Sequence, residues 1–368
     1  MPTRIGDLDD EVLLEMIAKP LAESDIASAV AFKRCSRRFK NLATKPVADA
    51  VKRTNENWRA AAASIGGPGA AKIRGKLGRN EVLKTLDLSG KKIDGEGAAA
   101  IAGALRGNAV LTSLNLQSNC IRDEGVAAIA EALQGNGVLT VLTIGGNKIS
   151  GEGATAIAEA LRGNGVLTNL NLGWNKIGAE GATAIAEALR GNGVLTSLDV
   201  GFNGLTEEVA LGIVRVERQR NKLTWLGVAD CSIGPTGAAE IAEYVSGSEV
   251  LTELKLGANK IRDEGAKALA SALRVNEVLT NLSLYGNSIR AEGAEALASA
   301  LRVNGVLTTL NLVDNNIGDE GAVALASALR VNGVLTTLDL RLNLSIGDEG
   351  KKAIQDAVSG REGFKLMM

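Results

Sequence analysis

Residues Leu167–Val194 read LTNLNLGWNKIGAEGATAIAEALRGNGV. Copies of this unit open at Leu83, Leu111, Leu139, Leu167, Leu195, Leu223, Leu251, Leu279, Leu307 and Leu335. The period is 28 residues and holds without slippage until the last copy, where LRLNLSI carries one extra residue. Such a period means a solenoid, in which each unit buries its apolar face against its neighbours. With positions numbered from the opening Leu, positions 4 and 6 (Leu170 and Leu172) alternate with polar residues, the pattern of a short strand with one buried face. Position 9 is Asn in eight of the ten copies, such as Asn119, Asn175 and Asn315. Its side chain can bond backbone groups where the chain leaves the strand, so stacked copies would form a ladder.

The second half of the unit puts Ile185 and Leu189 four residues apart, with Ala182 and Ala186 beside them. That is one apolar helical stripe, small enough for the helix to sit close to the strand layer. An acidic residue such as Glu124, Glu152, Glu180, Glu264, Glu292 or Glu320 precedes it and favours the helix N-terminus. The Gly-Asn or Val-Asn near the end is a stop signal, with Asn able to take the left-handed conformation. A purely helical repeat is excluded, because L-T-x-L-x-L has period two.

This L-x-x-L-x-L-x-x-N-x-I unit resembles the leucine-rich repeat in its longer, ribonuclease-inhibitor-like class, over residues 83–368. The resemblance implies an α/β horseshoe with a parallel concave sheet and convex helices. It also implies protein binding without catalysis. Cys231 replaces the position-9 Asn of one copy, a substitution the family pattern also shows.

Composition narrows the alternatives. Net charge is −1, which gives no bulk attraction to nucleic acid, and aromatic content is 2%, too low for base-stacking platforms. There is no histidine, so the commonest general base and a common metal ligand are missing. No phosphate loop, CxxC or zinc spacing occurs, and the reading is of no enzyme, cofactor or metal. Asp-Glu-Gly at Asp123, Asp263 and Asp319 recurs at one place in the repeat as a helix start, not as a catalytic pair. Of the three cysteines, Cys120 and Cys231 lie four repeats apart, roughly 20 Å at one strand spacing per repeat and out of disulfide reach. With Cys35 they fit a reducing compartment. No secretory signal and no apolar run of about 18 residues is visible, so the expectation is an intracellular protein of cytoplasm or nucleus, without membrane association and monomeric outside its complexes.

Residues 1–45 lack the repeat. Leu13, Leu14 and Ile17 form a helical apolar stripe closed by Pro20, and a second helix is expected from Ile26 to about Leu42. Leu8, Glu11, Val12, Leu14, Ile17, Leu21, Asp25 and Ile26, with Cys-Ser-Arg-Arg-Phe at 35–39, resemble an F-box. Asp9 stands where that family has Pro, and the interval from Asp25 to Phe39 is about three residues long in excess, nearly one helical turn. The F-box resemblance implies docking to a Skp1-type adaptor of a cullin ubiquitin ligase through Leu8, Leu14, Ile17 and Phe39. The alternative is a helical cap for the first repeat, on a stand-alone scaffold similar to ribonuclease inhibitors, innate-immune sensors or a Ran GTPase activator.

Residues 46–82 form a junction. Pro46–Ala63 is expected as a separate helix broken by Gly66–Gly69, and Gly69–Val82 aligns with Gly97–Val110 as the end of a degenerate repeat. Trp58 and Ile65 then take positions 4 and 11, Trp58 plugging the core. Phe364 and Leu366 are expected to close the sheet as a last strand.

Copies opening at Leu111, Leu139 and Leu167 share AEAL-R/Q-GN, and those at Leu251, Leu279 and Leu307 share ASALRVN. The copies at Leu195 and Leu223 form a divergent seam. Arg215, Arg218 and Arg220 there read as a solvated helix face paired with Glu207, Glu208 and Glu217. Positions 3, 5, 7 and 8 are expected to face solvent on the concave side. Trp174, Phe202, Trp225 and Tyr285 occupy such positions on nearby repeats, and Trp and Tyr are usual interface anchors. They are the candidate protein-binding patch, rimmed by Asp199, Asp230 and Lys255.

Overall fold

The structure, a computed structural model, describes residues 37–77 and 83–368. They fall into two compact units, the described residues up to 149 with 159–168, and residues 150–158 with 169–368. Each unit is a solenoid of βα repeats.

The first unit contains helices α1 (Arg37–Ile65), α2 (Gly67–Leu77), α3 (Gly95–Arg106) and α4 (Arg122–Gly135). Its strands β1 (Thr85–Asp87), β2 (Ser113–Asn115) and β3 (Val141–Thr143) run parallel, with Leu86, Leu114 and Leu142 in register. Helix α5 (Gly151–Gly163) follows. The second unit continues with β4 (Asn169–Asn171), α6 (Gly178–Gly191), β5 (Ser197–Asp199), α7 (Glu207–Arg220), β6 (Trp225–Gly227) and α8 (Pro235–Gly247). Then come β7 (Glu253–Lys255), α9 (Arg262–Leu273), β8 (Asn281–Ser283), α10 (Ala291–Leu301), β9 (Thr309–Asn311) and α11 (Gly318–Leu329). It ends with β10 (Thr337–Asp339), α12 (Asp348–Val358) and β11 (Lys365–Met367). Strands β4 to β11 pair in chain order, all parallel, with Leu170, Leu198, Leu226, Leu254, Leu282, Leu310, Leu338 and Leu366 in register. The expected closing strand is β11, and it holds Leu366 but not Phe364.

The period dictates the packing. Leu at positions 1, 4 and 6, Ile at 11, and the helical Ile/Leu and Ala positions are buried throughout. Position 15 is Gly in every copy but the one with Val209, because the helix of the preceding copy leaves no room for a Cβ. At Gly181 one would lie 2.6 Å from Ala154 Cβ, and at Gly321 2.9 Å from Ala294 Cβ. The Asn ladder forms. Asn259 Nδ2 donates to the carbonyls of Val228 (3.0 Å), Leu256 (3.0 Å) and Gly257 (3.3 Å), while its Oδ1 accepts from Cys231 N (2.9 Å) and Ile233 N (3.0 Å).

The Asn at position 26 does not use the left-handed conformation open to it. Asn136 and Asn192 are extended, with φ −90° and −89°, not left-handed. Their side chains build a second ladder instead. Asn276 Nδ2 donates to Val245 O (2.7 Å) and Ser248 O (3.3 Å), and its Oδ1 accepts from Leu279 N (2.7 Å). The acidic helix starts also reach across repeats. Asp263 Oδ1 accepts from Arg290 N (2.7 Å) and Gly293 N (3.0 Å), capping the following helix and not its own.

Two loop forms alternate. Position 10 is left-handed at Lys92, Lys148, Gly204, Ser232 and Ser288, whereas position 12 is left-handed at Arg122, Gly178, Arg262 and Gly318. The alternation breaks once, where the copies opening at Leu195 and Leu223 share the first form. That junction is where Cys231 replaces Asn.

The N-terminal side corrects two expectations. No break separates a helix ending near Leu42 from one starting after Pro46. One helix of 29 residues, α1, runs through Pro46 and across the 45/46 division. Proline has no N–H to give the preceding turn, which is why the sequence reads as a boundary there. The degenerate repeat has no strand among its described residues either: Trp58 lies on α1, fully buried, with its indole N–H unpartnered. Ile65 does act as a position-11 residue, since a Cβ on Gly69 would meet its Cγ2 at 2.9 Å, as one on Gly97 would meet Ile93 Cγ2 at 3.0 Å. Gly66, at φ +66°, makes the break between α1 and α2. Phe39 lies in α1, and Leu8, Leu14, Ile17 and Cys35 lie outside the described residues.

Candidate functional site

Position 8 is left-handed in every copy, with φ between +53° and +66° from Gly90 to Asp314 and +62° at Leu342. Gly is the unstrained occupant of such a position, and Gly90, Gly146 and Gly286 take it. Trp174 (φ +59°) and Phe202 (φ +56°) place bulky rings there, at a backbone cost of roughly 1–3 kcal/mol each. The two rings stack at 3.9 Å between centroids, 8° from parallel. Trp174 remains 63% exposed. The rings do not vanish into the loops; they stand on the surface at the end of β4 and β5.

The other two aromatics lie down over missing side chains. A Cβ on Gly257 would be 1.9 Å from Tyr285 Cε1, so the Tyr285 ring lies flat on the β7 loop. A Cβ on Gly227 would be 2.8 Å from Trp225 Cη2 and 2.7 Å from Asp199 Oδ1, so Trp225 and Asp199 both crowd over β6. Position 7 is Gly173, Gly201, Ala229 and Gly257 on four successive repeats, a low strip beside these rings.

The rim residues need correction. Asp199 sits within the patch, half-buried, against Trp225. Its Oδ1 accepts from Gly201 N (3.0 Å) and its Oδ2 from Asn171 Nδ2 (3.1 Å). Burial raises its carboxyl above the ordinary value of 3.8, opposed by those two bonds and by the Lys255 charge. Lys255 is taken up by Glu253 at 2.8 Å. Burial works against Glu253, but hydrogen bonds from Lys255, Asn281 and Trp225 leave its carboxyl below the usual value. Asp230 is exposed, and next to it the Cys231 thiol is pushed up to about 12 by burial and by the charges of Asp230 and Asp199. Burial and those same two carboxylates raise the Tyr285 hydroxyl.

Position 5 was expected to face a ligand, but it mostly serves the chain itself. Asn115, Asn171 and Asn311 accept from the N–H two residues on, as do Asp199 and Asp339. Gly227 cannot, and its copy is the one that Trp225 covers.

The seam holds a site that local reading misses. Glu217 takes the helical position of Leu189, and Arg220 the ladder position of Asn192. Their side chains are 0% and 7% exposed and pair at 2.6 Å. Arg220 donates to the carbonyls of Asn192 (2.6 Å) and Leu195 (2.5 Å), and Glu217 accepts from Leu223 N (3.1 Å). The expected solvated pairing is thus wrong for Arg220. Glu207 does not pair with an arginine in α7 as expected; its carboxylate accepts from Gly234 N (2.5 Å). Arg215, bridging Glu208 and Glu240, and Arg218, paired with Glu243, do form a surface ion-pair row. Aligning position 23 across copies is the signal that finds Glu217.

A solenoid of parallel three-residue strands and capped helices, open on its strand face, defines a repeat scaffold. A leucine-rich repeat family model matches residues 79–102, 107–130, 135–158, 163–186, 247–270, 275–298, 303–326 and 331–354, more than half of the chain. The protein belongs to the leucine-rich repeat family, whose members are typically non-catalytic scaffolds that bind proteins. Within the repeats the longest stretch without a match is 187–246, which takes in most of the seam. No curated protein matches the chain. Similar solved structures include an internalin from Listeria monocytogenes, at TM-score 0.39 and 19% identity, over 85% of this chain and 93% of that one. Another is leiomodin-1 actin-binding site 2, at TM-score 0.34 and 18% identity, over 53% and 85%. Among the described residues no helix is long and apolar enough to cross a membrane. No group of three or more acidic or cysteine side chains among them is placed to hold a metal ion.

Proposed function

We propose that the protein recognises a target protein through the strand face of repeats 167–306, with Trp174, Phe202, Trp225 and Tyr285 as anchors. One observation carries this reading: an exposed ring, Trp174, and a half-buried one, Phe202, are stacked at left-handed positions that glycine would occupy without strain. Strain of this kind persists where function repays it. Aromatic anchors with small residues beside them give a partner both contact area and depth. The test is capture from an extract of the cells that make the protein. Wild type and a helix-face control, Val323→Ala, are expected to retain a protein that Trp174→Ala/Trp225→Ala loses. Equal retention by all three sinks the patch.

The finer reading is that residues 1–45 work as an F-box, so that the bound target is presented to a cullin ubiquitin ligase. Its support is the pattern Leu8, Leu14, Ile17 and Phe39 with Cys35–Phe39. Binding to a purified Skp1-type adaptor, abolished by Leu14→Asp/Ile17→Asp, is the expected result. Absence of binding by wild type leaves a stand-alone scaffold whose first helices cap the repeats.

A further inference from the structure

Across the five repeats opening at Leu167 to Leu279, positions 3, 5, 7 and 8 carry only four charges: Asp199, Asp230, Glu253 and Lys255. Glu253 and Lys255 satisfy each other at 2.8 Å. That leaves two carboxylates with no ion pair among the described residues, although the Lys255 charge reaches Asp199. They stand among the only aromatic side chains at these positions. Asp230 follows Trp174 and Phe202 in the position-8 row, one repeat further on. Asp199 touches the same point over Gly227 as the Trp225 ring. The field of both carboxylates reaches the Tyr285 hydroxyl, so they belong to one neighbourhood. Asp199 is already bonded by Gly201 N and Asn171, and each carboxylate oxygen retains a second acceptor direction.

Resting on the patch as the target-binding surface, we infer that it takes an arginine side chain of the partner protein, the guanidinium held between the aromatic rings and the carboxylates of Asp199 and Asp230. A guanidinium is the group that suits both halves of such a site. It is planar and weakly hydrated, it stacks on rings, and it donates in a fixed fork to carboxylates. An ammonium has the charge but neither the plane nor the fork, so lysine is the weaker occupant. A neutral or acidic side chain leaves two carboxylates facing it without compensation.

The probe is the blocked pentapeptide Gly-Gly-Arg-Gly-Gly, with counterparts carrying lysine or citrulline, the neutral isostere of arginine. The readout is the three indole N–H signals of the full chain. The arginine peptide is expected to shift the signals of Trp174 and Trp225, leave buried Trp58 in place, and bind at least about tenfold more tightly than the citrulline peptide, about 1.4 kcal/mol. Asp199→Asn/Asp230→Asn is expected to erase that preference. Asn at position 5 keeps the loop bond in Asn115, Asn171 and Asn311, so this variant retains the fold. Equal shifts with citrulline and arginine overturn the arginine assignment and leave the patch as a protein-binding surface. No shift with any peptide also overturns it, and the patch itself is then decided by the capture experiment.

Discussion

The regular copies from Leu251 to Val334 and the seam from Leu195 to Val250 solve one problem by two chemistries. Both must satisfy the backbone groups left where each helix returns to the sheet. The regular copies use a neutral amide, Asn276, Asn304 or Asn332, bridging two carbonyls of the previous copy to one N–H of its own copy and that of the Leu opening the next. The seam uses a buried ion pair, Arg220 with Glu217, and then a hydroxyl, Ser248. An amide rung suits any neighbour of the same kind and so repeats without limit. An ion pair needs two substitutions at once and fits one place. The seam is also where the loop alternation breaks, where Cys231 interrupts the other ladder, and where Asp199, Trp225 and Asp230 sit. Individuality in structure and candidate binding chemistry coincide there.

The sharpest break of this comparison is to leave half of the ion pair. Glu217→Leu alone strands the Arg220 guanidinium and should destabilise the protein by about 3–5 kcal/mol. Glu217→Leu with Arg220→Asn rebuilds the Leu189/Asn192 arrangement, and should be neutral or stabilising by about 1–4 kcal/mol. Denaturant unfolding of the two variants measures both. If the double variant is as damaged as the single, the seam is not an alternative form of the regular rung.

A second contrast lies in the position-9 ladder. Asn259→Ala leaves buried N–H and carbonyl groups without partners and should cost about 2–3 kcal/mol. Cys231→Ala removes only a thiol contact to the Ala229 carbonyl, 3.4 Å away, and should cost about 1 kcal/mol or less by the same unfolding assay. The Cys231 thiol, with its pKa near 12, should stay unmodified by iodoacetamide at pH 8 while the protein is folded. Labelling of native Cys231 at the rate of a free thiol contradicts the burial.

The pH response separates Asp199 from its neighbours. Its folded pKa is raised, so the folded chain binds the proton more tightly than the unfolded chain does. The stability this contributes is present below the unfolded value of 3.8 and is lost as pH rises through the raised folded value. Charged Asp199 is therefore a burden at neutral pH, facing Asn171, Gly201 N–H and Lys255. Asp199→Asn should be neutral or slightly stabilising in melts at pH 7, and its advantage should vanish once the medium is acid enough to protonate Asp199. A loss of stability at pH 7 counters this account. The smallest effect is expected where strain and stacking nearly cancel. Trp174→Gly frees the left-handed backbone but loses a ring stack, so unfolding free energy should change by no more than about 1 kcal/mol.

The fold was legible because its cause is local and repeated: period two for the strand, the Ile185/Leu189 stripe for the helix, and Asn at position 9. Contacts between copies were less legible. Asn276 and Asp263 look like residues of their own helix ends, yet their partners lie in adjacent copies. The charged helix EEVALGIVRVERQR reads as solvated because composition does not reveal that Glu217 occupies a leucine position. Pro46 reads as a boundary because proline usually is one. In the candidate patch, the positions of the four aromatics followed from counting. The left-handed backbone under Trp174 and Phe202 was written only indirectly, in Gly90, Gly146 and Gly286 at the equivalent place. That Trp225 and Tyr285 lie over Gly227 and Gly257 depends on side-chain packing across strands, which no single copy encodes.

The central claim is that the strand face around the seam holds the target. A photo-reactive residue placed at Ala258, in the same position-8 row and beside Asp230, tests it without altering an anchor. The control places the same residue at Val323, on the helix face and 41% exposed. In an extract of the cells that make the protein, position 258 should cross-link a protein that position 323 does not, and Trp174→Gly should abolish that cross-link. The same protein cross-linked from position 323 and not from 258 would contradict the account.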